Sequence, residues 1–246
     1  MYNFLKKNIK RLLPKSFLFK NELFFRYFYG IFYSGNTQQC NVCEKHLKSF
    51  IHKSNNDLLC PFCGSLSRTR RLWSILNSRN SIKGNILHFS PSRSIFRKLK
   101  KLNNINYFSS DFENEFLADY KFDITQINEE NETFDTIICY HILEHIINDK
   151  AAISELFRVL KPKGKAIIQT PFKDGDIYED FSITSPIERE KHFGQNDHVR
   201  VYSVLGLKER LEIAGFKVEI ASYNTSEKDA YHGFKSPETI LIASKN

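Results

Sequence analysis

The stretch Phe134–Tyr140 (FDTIICY) constrains the fold of this chain most, because it is apolar along almost its whole length. A strand without alternating polar residues is buried on both faces, which is typical of the middle of a parallel sheet. Parallel neighbours need long crossover connections, which are usually helical. Helical patterns at residues 92–102 and 149–160 flank this stretch in the chain. We therefore expect an α/β fold.

Further short apolar runs and amphipathic segments extend this pattern from residue 82 onward. Helices are predicted at 68–80 and 203–214, the second ending before Gly215. The other predicted strands are Ile86–Ser90, Asn106–Ser110, Phe122–Ile124, Lys165–Thr170, Phe216–Ser222 and Glu238–Ser244. The alternation predicts a Rossmann-like, doubly wound, mostly parallel sheet of seven strands with helices on both faces.

Four of the five cysteines form two Cys-x-x-Cys pairs, Cys40 with Cys43 and Cys60 with Cys63, separated by 16 residues. Two matched pairs supply the four thiolates of a tetrahedral structural zinc site, whereas a redox motif needs only one pair. The sequence therefore predicts a small zinc ribbon at residues 36–70. Cys139 lies inside the apolar strand and is predicted to belong to the core.

Positive charge is concentrated in the first third of the chain. Residues 1–72 carry 13 Lys and Arg against 3 Asp and Glu, whereas residues 73–246 carry 23 against 25. This asymmetry favours an anionic partner for the N-terminal region. Four thiolates with Zn²⁺ carry a net charge of −2, which offsets part of the positive charge and weakens the case for nucleic acid.

Residues 1–35 hold 11 aromatic residues interleaved with Lys and Arg, and Pro14 divides them into two predicted helices, the first from Tyr2 to Leu13. Three uses remain open: packing on the main domain, peripheral docking on a membrane surface, or stacking on nucleic acid. Neither a transmembrane stretch nor a secretion signal is predicted. We expect a cytoplasmic protein, with association at the inner membrane surface as the alternative.

Ligands of doubly wound sheets bind beyond the carboxyl ends of the strands, where the strand order reverses. Asp111 ends the second predicted strand and can accept hydrogen bonds from ribose hydroxyls. Asp123 and Ile124 end the third and suit the exocyclic amine of adenine. The candidate cofactor-binding residues are His88, Ser90, Pro91, Asp111, Asp123, Ile124, Tyr140 and His141.

The segment Phe134–Phe172 resembles the fourth-to-fifth-strand region of class I S-adenosylmethionine (SAM)-dependent methyltransferases, particularly the type 11 family. The shared pattern is an apolar strand, an H-x-L-E-H turn, a helix ending in R-x-L-K-P-x-G, and another apolar strand. The resemblance implies that residues 71–246 form a SAM-dependent methyltransferase domain. It also implies that Tyr140 or His141 lines the SAM pocket, that Asp111 binds ribose and that Asp123 contacts adenine.

The first loop departs from the family pattern, in which it usually reads acidic-x-Gly-x-Gly. The corresponding residues here are His88-Phe-Ser-Pro-Ser, without a glycine to let the backbone approach the cofactor. The alternative to an enzyme is therefore a zinc-ribbon binding protein on a methyltransferase scaffold that has lost SAM.

The letters from His141 to His145 also match the H-x-x-E-H pattern of inverted zinc proteases. That pattern requires both histidines on one helix face and a further ligand downstream. Here the letters directly follow a buried strand, which fits a methyltransferase loop better.

The polar segment 192–200 follows the fifth predicted strand and carries the candidate catalytic residues. His198 is a candidate base, with Asp197 and Arg200 shaping or charging the acceptor pocket. The alternative is that these residues only fix the loop. The nearly neutral main domain favours a small molecule or glycan precursor as methyl acceptor, and RNA docked through the zinc ribbon is the second reading.

Overall fold

The computed structural model describes residues 21–246, which form two compact units. One unit comprises the described residues up to Arg71 together with 226–235, and the other comprises 72–225 and 236–246. The sequence analysis included residues 226–235 in the predicted methyltransferase domain, 71–246. The structure groups this segment with the unit that contains the four paired cysteines. The predicted helix at Tyr2–Leu13 lies outside the described residues.

The elements are numbered here in chain order. The helices are α1 (Glu22–Ile31), α2 (Ser67–Ser78), α3 (Arg93–Leu99), α4 (Asp149–Val159), α5 (Pro186–Phe193), α6 (Val204–Ile213) and α7 (Glu227–His232). The strands are β1 (Ser34–Gln39), β2 (His46–Leu47), β3 (Ile51–His52), β4 (Leu58–Leu59), β5 (Gly84–Phe89), β6 (Ile105–Ser110), β7 (Phe134–Tyr140), β8 (Leu160–Gln169), β9 (Tyr178–Glu179), β10 (Arg200–Val201), β11 (Lys217–Tyr223) and β12 (Glu238–Ser244). None of the helices within residues 21–246 is long and apolar enough to cross a membrane.

The larger unit contains a six-stranded sheet in the order β11-β12-β8-β7-β5-β6. Strands β6, β5, β7 and β8 are parallel, and β12 runs antiparallel to both of its neighbours. From β5 the chain first adds β6 on one side and then β7 on the other. The strand order therefore reverses at the carboxyl ends of β5 and β7, which is where ligands of such sheets bind.

The expected α/β fold with a mostly parallel sheet is confirmed, but the expected count of seven strands is wrong. The predicted strand Phe122–Ile124 makes only an isolated bridge, between Asp123 and Gln126. Side chains replace a ladder there: the Phe122 amide donates to Ser110 Oγ, and the Thr125 amide donates to Asp123 Oδ1. Side-chain oxygens thus satisfy these amides in place of a neighbouring strand.

Two features of the chain beyond β7 also differ from the sequence prediction. Residues 161–164 do not separate α4 from the next strand; they form an irregularity inside β8, since Phe134 pairs with Leu160 but Thr136 pairs with Lys165. Between β8 and α6, where the sequence analysis predicts neither a helix nor a strand, the structure contains helix α5 and the short β9–β10 pair.

The core is centred on β7, as its apolar sequence predicts. Ile137 and Ile138, adjacent residues that point to opposite faces, are both fully buried, and so is Cys139. Leu156 of α4 and Leu211 of α6 pack into the same cluster as Ile137 and Cys139. Each aliphatic side chain buried to this extent contributes roughly 1.5–3 kcal/mol, so this packing fixes the height and orientation of the strand ends.

The smaller unit brings the four paired cysteines together and is held by a buried arginine. The Arg70 guanidinium donates to the carbonyls of Ser65 and Leu58 and to the carbonyls of His232 and Gly233. This arginine therefore ties the segment 226–235 to the second cysteine pair.

Candidate functional site

Two residues at the carboxyl ends of β5 and β7 lie in the left-handed backbone region. Ser90 has φ of 44° and His141 has φ of 56°. Non-glycine residues adopt this conformation at a cost, and such residues cluster at functional sites. Ser90 stands where the family pattern has its first glycine. Its backbone takes the left-handed turn that a glycine would allow, held by a 2.7 Å bond from its amide to the Ser110 carbonyl.

Asp111 lies just beyond β6 and is buried beside this turn. Its Oδ1 accepts from Ser90 Oγ at 2.7 Å, and its Oδ2 accepts from the amides of Glu115 and Phe116 at 2.6 and 3.0 Å. A carboxylate offers about four acceptor positions, so the protein itself uses three of them. Asp111 thus shapes the loop after β6, and its contact with ribose stays a prediction.

The other candidate cofactor residues divide into buried and accessible ones. His88 and Pro91 are buried, and His88 Nδ1 lies 3.1 Å from the Tyr107 hydroxyl on the neighbouring strand. Ile124 packs in the core, whereas Asp123 is exposed and bonds to Thr125. Tyr140 and His141 are partly exposed at the end of β7. Asp123, Tyr140 and His141 therefore have surface that a ligand can reach.

A second cluster lies where the chain leaves β7. His141 Nδ1 is 3.3 Å from Glu144 Oε1, and His145 Nδ1 is 3.1 Å from Asp197 Oδ2. The rings of His145 and His198 meet edge to face with centroids 4.6 Å apart. The Val199 amide donates to the Glu144 carbonyl, and this bond helps hold the 197–199 segment beside the turn.

Burial and neighbouring charges set the protonation of this cluster. Burial raises the pKa of the Glu144 carboxyl, but its hydrogen bond with His141 and the proximity of His141 and His145 outweigh burial, so the net pKa is lowered. Burial, and after it the neighbouring His145, lower the pKa of His198. At pH 7 the cluster therefore combines an ionised carboxylate with a neutral imidazole ring.

Arg200, expected to charge or shape the pocket, is fully buried and clamps this region. Its guanidinium donates to Glu179 Oε2 at 2.9 Å and to the carbonyls of Leu143, Ile146 and Ile147. These carbonyls belong to or follow the 3-10 turn Leu143–His145. Arg200 therefore fixes the turn that presents Glu144 and His145.

A cavity of about 230 Å³ opens beside the cluster. Glu144, His198 and Arg200 line it together with Lys173 and the aromatic rings of Phe172 and Phe193. Its wall therefore combines two aromatic rings with several charged or polar groups.

The four paired cysteines form a separate cluster in the smaller unit. The Sγ atoms of Cys40 and Cys63 are 3.7 Å apart, as are those of Cys43 and Cys60, and all four cysteines are unbridged. A tetrahedral Zn²⁺ with Zn–S bonds of about 2.3 Å requires sulfur atoms about 3.8 Å apart, so the donor set fits zinc. Gly64 has φ of 76°, as the turn after the second pair requires.

Sequence reasoning did not single out Glu144 and His145 as site residues. The H-x-x-E-H letters carried the signal, but they were considered only as the turn of a methyltransferase-like pattern and as a protease motif. The structure brings Glu144 and His145 together with His198 from a distant segment, which the spacing alone does not show.

Comparisons with known proteins agree with this architecture. A family model described as a methyltransferase domain matches residues 66–220. A probable S-adenosylmethionine-dependent methyltransferase of Mycolicibacterium smegmatis is 31% identical over 104 residues, 40% of this chain and 37% of that protein. An uncharacterised protein of Methanocaldococcus jannaschii is 40% identical over 57 residues, 22% of this chain and 25% of that protein. The matched regions thus span well under half of either relative.

One solved structure with a similar fold is a SAM-dependent methyltransferase from Archaeoglobus fulgidus. It superposes with a TM-score of 0.50 at 16% sequence identity, over 72% of this chain and 93% of that chain. At this level of identity, the similarity is one of fold.

Proposed function

Since this chain belongs to the methyltransferase-domain family, we propose that it transfers a methyl group from S-adenosylmethionine to an acceptor bound beside His198. The observation that carries the proposal is the reversal of strand order at the carboxyl ends of β5 and β7, where Ser90 and His141 have left-handed backbones. Ser90 adopts this conformation, which glycine adopts most readily, at the position of the first glycine in the family pattern. This argues against a scaffold that has lost its cofactor.

The reaction itself demands little from the protein beyond positioning. The acceptor's lone pair forms a bond to the methyl carbon while the methyl–sulfur bond breaks, and the bonding pair stays on the sulfur, which becomes neutral. Alignment of the two reactants supplies much of the rate enhancement in such a transfer. Asp111 would bind the ribose and Asp123 would contact the adenine. Tyr140 and His141 would line the pocket.

A small molecule or a glycan precursor is the proposed acceptor. The cavity of about 230 Å³ suits a small group flanked by aromatic rings, and Lys173 offers a cation to an anionic substituent. His198 is the proposed base, because a neutral ring at the cavity wall can accept a proton. RNA is the second candidate, supported by the excess of positive charge in residues 1–72. RNA binding would weaken steeply with added salt, so retention that does not respond to salt excludes it.

We also propose that Cys40, Cys43, Cys60 and Cys63 hold a structural zinc ion. The separations of 3.7 Å between sulfur atoms and the left-handed turn at Gly64 support this assignment. Zinc in such a site stabilises the fold and takes no part in methyl transfer.

Calorimetry with SAM and with its demethylated product tests the proposed function. We expect the Asp111→Ala substitution to weaken SAM binding by about 1.5–3 kcal/mol, through loss of a charge-assisted hydrogen bond to ribose. Asp135→Ala is the matched control, because Asp135 is a partly buried carboxylate bonded to Asn85 and Lys161 at the other end of β7. Absence of SAM binding in the unaltered protein would support the scaffold reading. An equal loss of SAM affinity in both variants would mean that Asp111 does not bind the cofactor directly.

A further inference from the structure

Three side chains beside the cavity bring possible metal-ligand atoms close together. One ligand atom each from Glu144, His145 and His198 lies within 4.8 Å of the other two. Glu144 is 1% exposed and His198 is 4% exposed. Among the described residues, neither Glu144 Oε2 nor His198 Nε2 has a hydrogen-bond partner. Buried polar atoms are rarely left without one, and each such atom calls for an explanation.

The Nδ1 atoms of His145 and His198 each lie beside a hydrogen-bond acceptor, which fixes the orientation of the two rings. His198 Nδ1 lies 3.1 Å from the Phe193 carbonyl, which can only accept, so Nδ1 carries the proton and Nε2 carries a lone pair. His145 Nδ1 lies 3.1 Å from the Asp197 carboxylate, so Nδ1 carries a proton there as well. Metal-bound histidines typically donate their other ring N–H to a carbonyl or a carboxylate in this way.

Glu144 Oε1 is bonded to His141, whereas Glu144 Oε2 and His198 Nε2 are buried without a partner among the described residues. Buried acceptor atoms without a donor are unfavourable, and a bound cation would satisfy both of them. We propose that Glu144, His145 and His198 bind a divalent transition-metal ion, with Asp197 and the Phe193 carbonyl orienting the two imidazoles.

The donor set narrows the choice of ion. Two imidazoles and one carboxylate suit Zn²⁺, Fe²⁺ or Co²⁺ and disfavour Mg²⁺ and Ca²⁺, which prefer sites made of oxygen alone. Three protein ligands leave coordination positions for a further group, as in catalytic rather than structural sites. Two of these ligands line the cavity, so the ion would bind an acceptor hydroxyl or amine there and lower its pKa.

This catalytic role rests on the proposed function, whereas the metal site itself rests only on the geometry. The ion would also change the role of His198, because a coordinated Nε2 cannot act as a base. The site differs from the protease pattern as well: His141 bonds to Glu144, and the second imidazole comes from His198, over 50 residues further along the chain.

Titration with Co²⁺ tests the site in the 246-residue chain, purified with zinc on its cysteines. Cobalt bound by thiolates gives intense charge-transfer absorption, which cobalt bound by nitrogen and oxygen lacks, so the two sites are distinguishable. We expect one equivalent to bind without thiolate bands. His198→Gln and Glu144→Gln should weaken this binding at least about 100-fold. Asp197→Asn, which removes only an orienting charge, should weaken it roughly 10–100-fold.

His192→Gln is the control, because His192 lies in the same segment and bonds to Tyr178 rather than to the cluster. It should bind Co²⁺ as the unaltered protein does. Absence of saturable binding, or equal affinity in the His198, Glu144 and control variants, would overturn the proposal. SAM calorimetry on the same samples separates the two proposals: SAM binding without Co²⁺ binding refutes only the metal site, and the converse refutes only the SAM assignment.

Discussion

At the scale of single residues, the site is made by side chains held in costly states. Ser90 and His141 keep left-handed backbones, and His88 is buried in the sheet as a neutral ring. Such states persist only where the surrounding structure compensates for them. Here the hydrogen bonds of the β5–β6 and β7–β8 pairs provide that compensation, because the Ser90 and His141 amides donate to the carbonyls of Ser110 and Gln169.

His88 makes stability depend on pH. Burial lowers the pKa of His88 to about 3, from about 6.5 in the unfolded chain. Between these values the unfolded state binds one more proton, so the free energy of unfolding rises with pH by up to about 1.4 kcal/mol per pH unit. This contribution is complete above about pH 6.5 and is lost as the pH falls towards 3.

We expect His88→Gln to flatten the stability profile between pH 5 and 6.5, measured by urea unfolding at each pH. The exposed His52→Gln provides the comparison and should keep the slope of the unaltered protein. If the slope in the His88 variant were also unchanged, His88 would not be the group responsible.

At the scale of elements, the 3-10 turn after β7 depends on one arginine. Arg200 donates to the carbonyls of Leu143, Ile146 and Ile147 and pairs with Glu179, which Arg210 also contacts. Each hydrogen bond that involves a charged group contributes about 1.5–3 kcal/mol, and the buried Arg200 makes several of them. Arg200 therefore links the turn and Glu179 to β10.

We expect Arg200→Ala to lower the free energy of unfolding by about 3–5 kcal/mol, because it removes several charge-assisted hydrogen bonds at once. Lys208→Ala, which breaks the exposed i,i+4 pair with Glu212, should cost less than about 1 kcal/mol. Denaturant unfolding measures both. A cost for Arg200→Ala as small as that of the control would mean that Arg200 serves the pocket and not the turn.

The sequence also contained capping signals for helix α5, which was not predicted. Ser185 caps the N-terminus, since its hydroxyl accepts from the Glu188 amide, and Pro186 is the first helical residue. Gly194, with φ of 88°, follows the last helical residue. This is the usual combination of capping residues. The absence of a clear apolar face concealed it, since seven of its eight residues are at least partly exposed.

At the scale of the whole molecule, the two units differ in what stabilises them. The larger unit has an extended apolar core, whereas the smaller one is built from short strands around four thiols. Small units without a sizeable core commonly depend on a metal. Zinc binding and folding of the cysteine unit are therefore expected to be coupled.

We expect Cys60→Ser to abolish sulfur-coordinated zinc, measured by X-ray absorption, and to speed hydrogen exchange in residues 36–66. Cys139→Ala is the matched control, because Cys139 is the fifth cysteine and lies buried in β7. It should keep the zinc signal. Full sulfur-coordinated zinc in the Cys60 variant would contradict the zinc assignment.

The sequence by itself determined the α/β class, the central strand β7 and the pairing of the cysteines. These features depend on the local pattern of apolar residues and on the spacing of the cysteines, both of which can be read directly from the sequence. It did not determine that Phe122–Ile124 would remain outside the sheet, because Ser110 satisfies the Phe122 amide from a distant position. Nor did it reveal that Glu144, His145 and His198 meet. Only the tertiary structure decided this, because contacts between distant segments depend on how strands and turns pack, and no local periodicity records them.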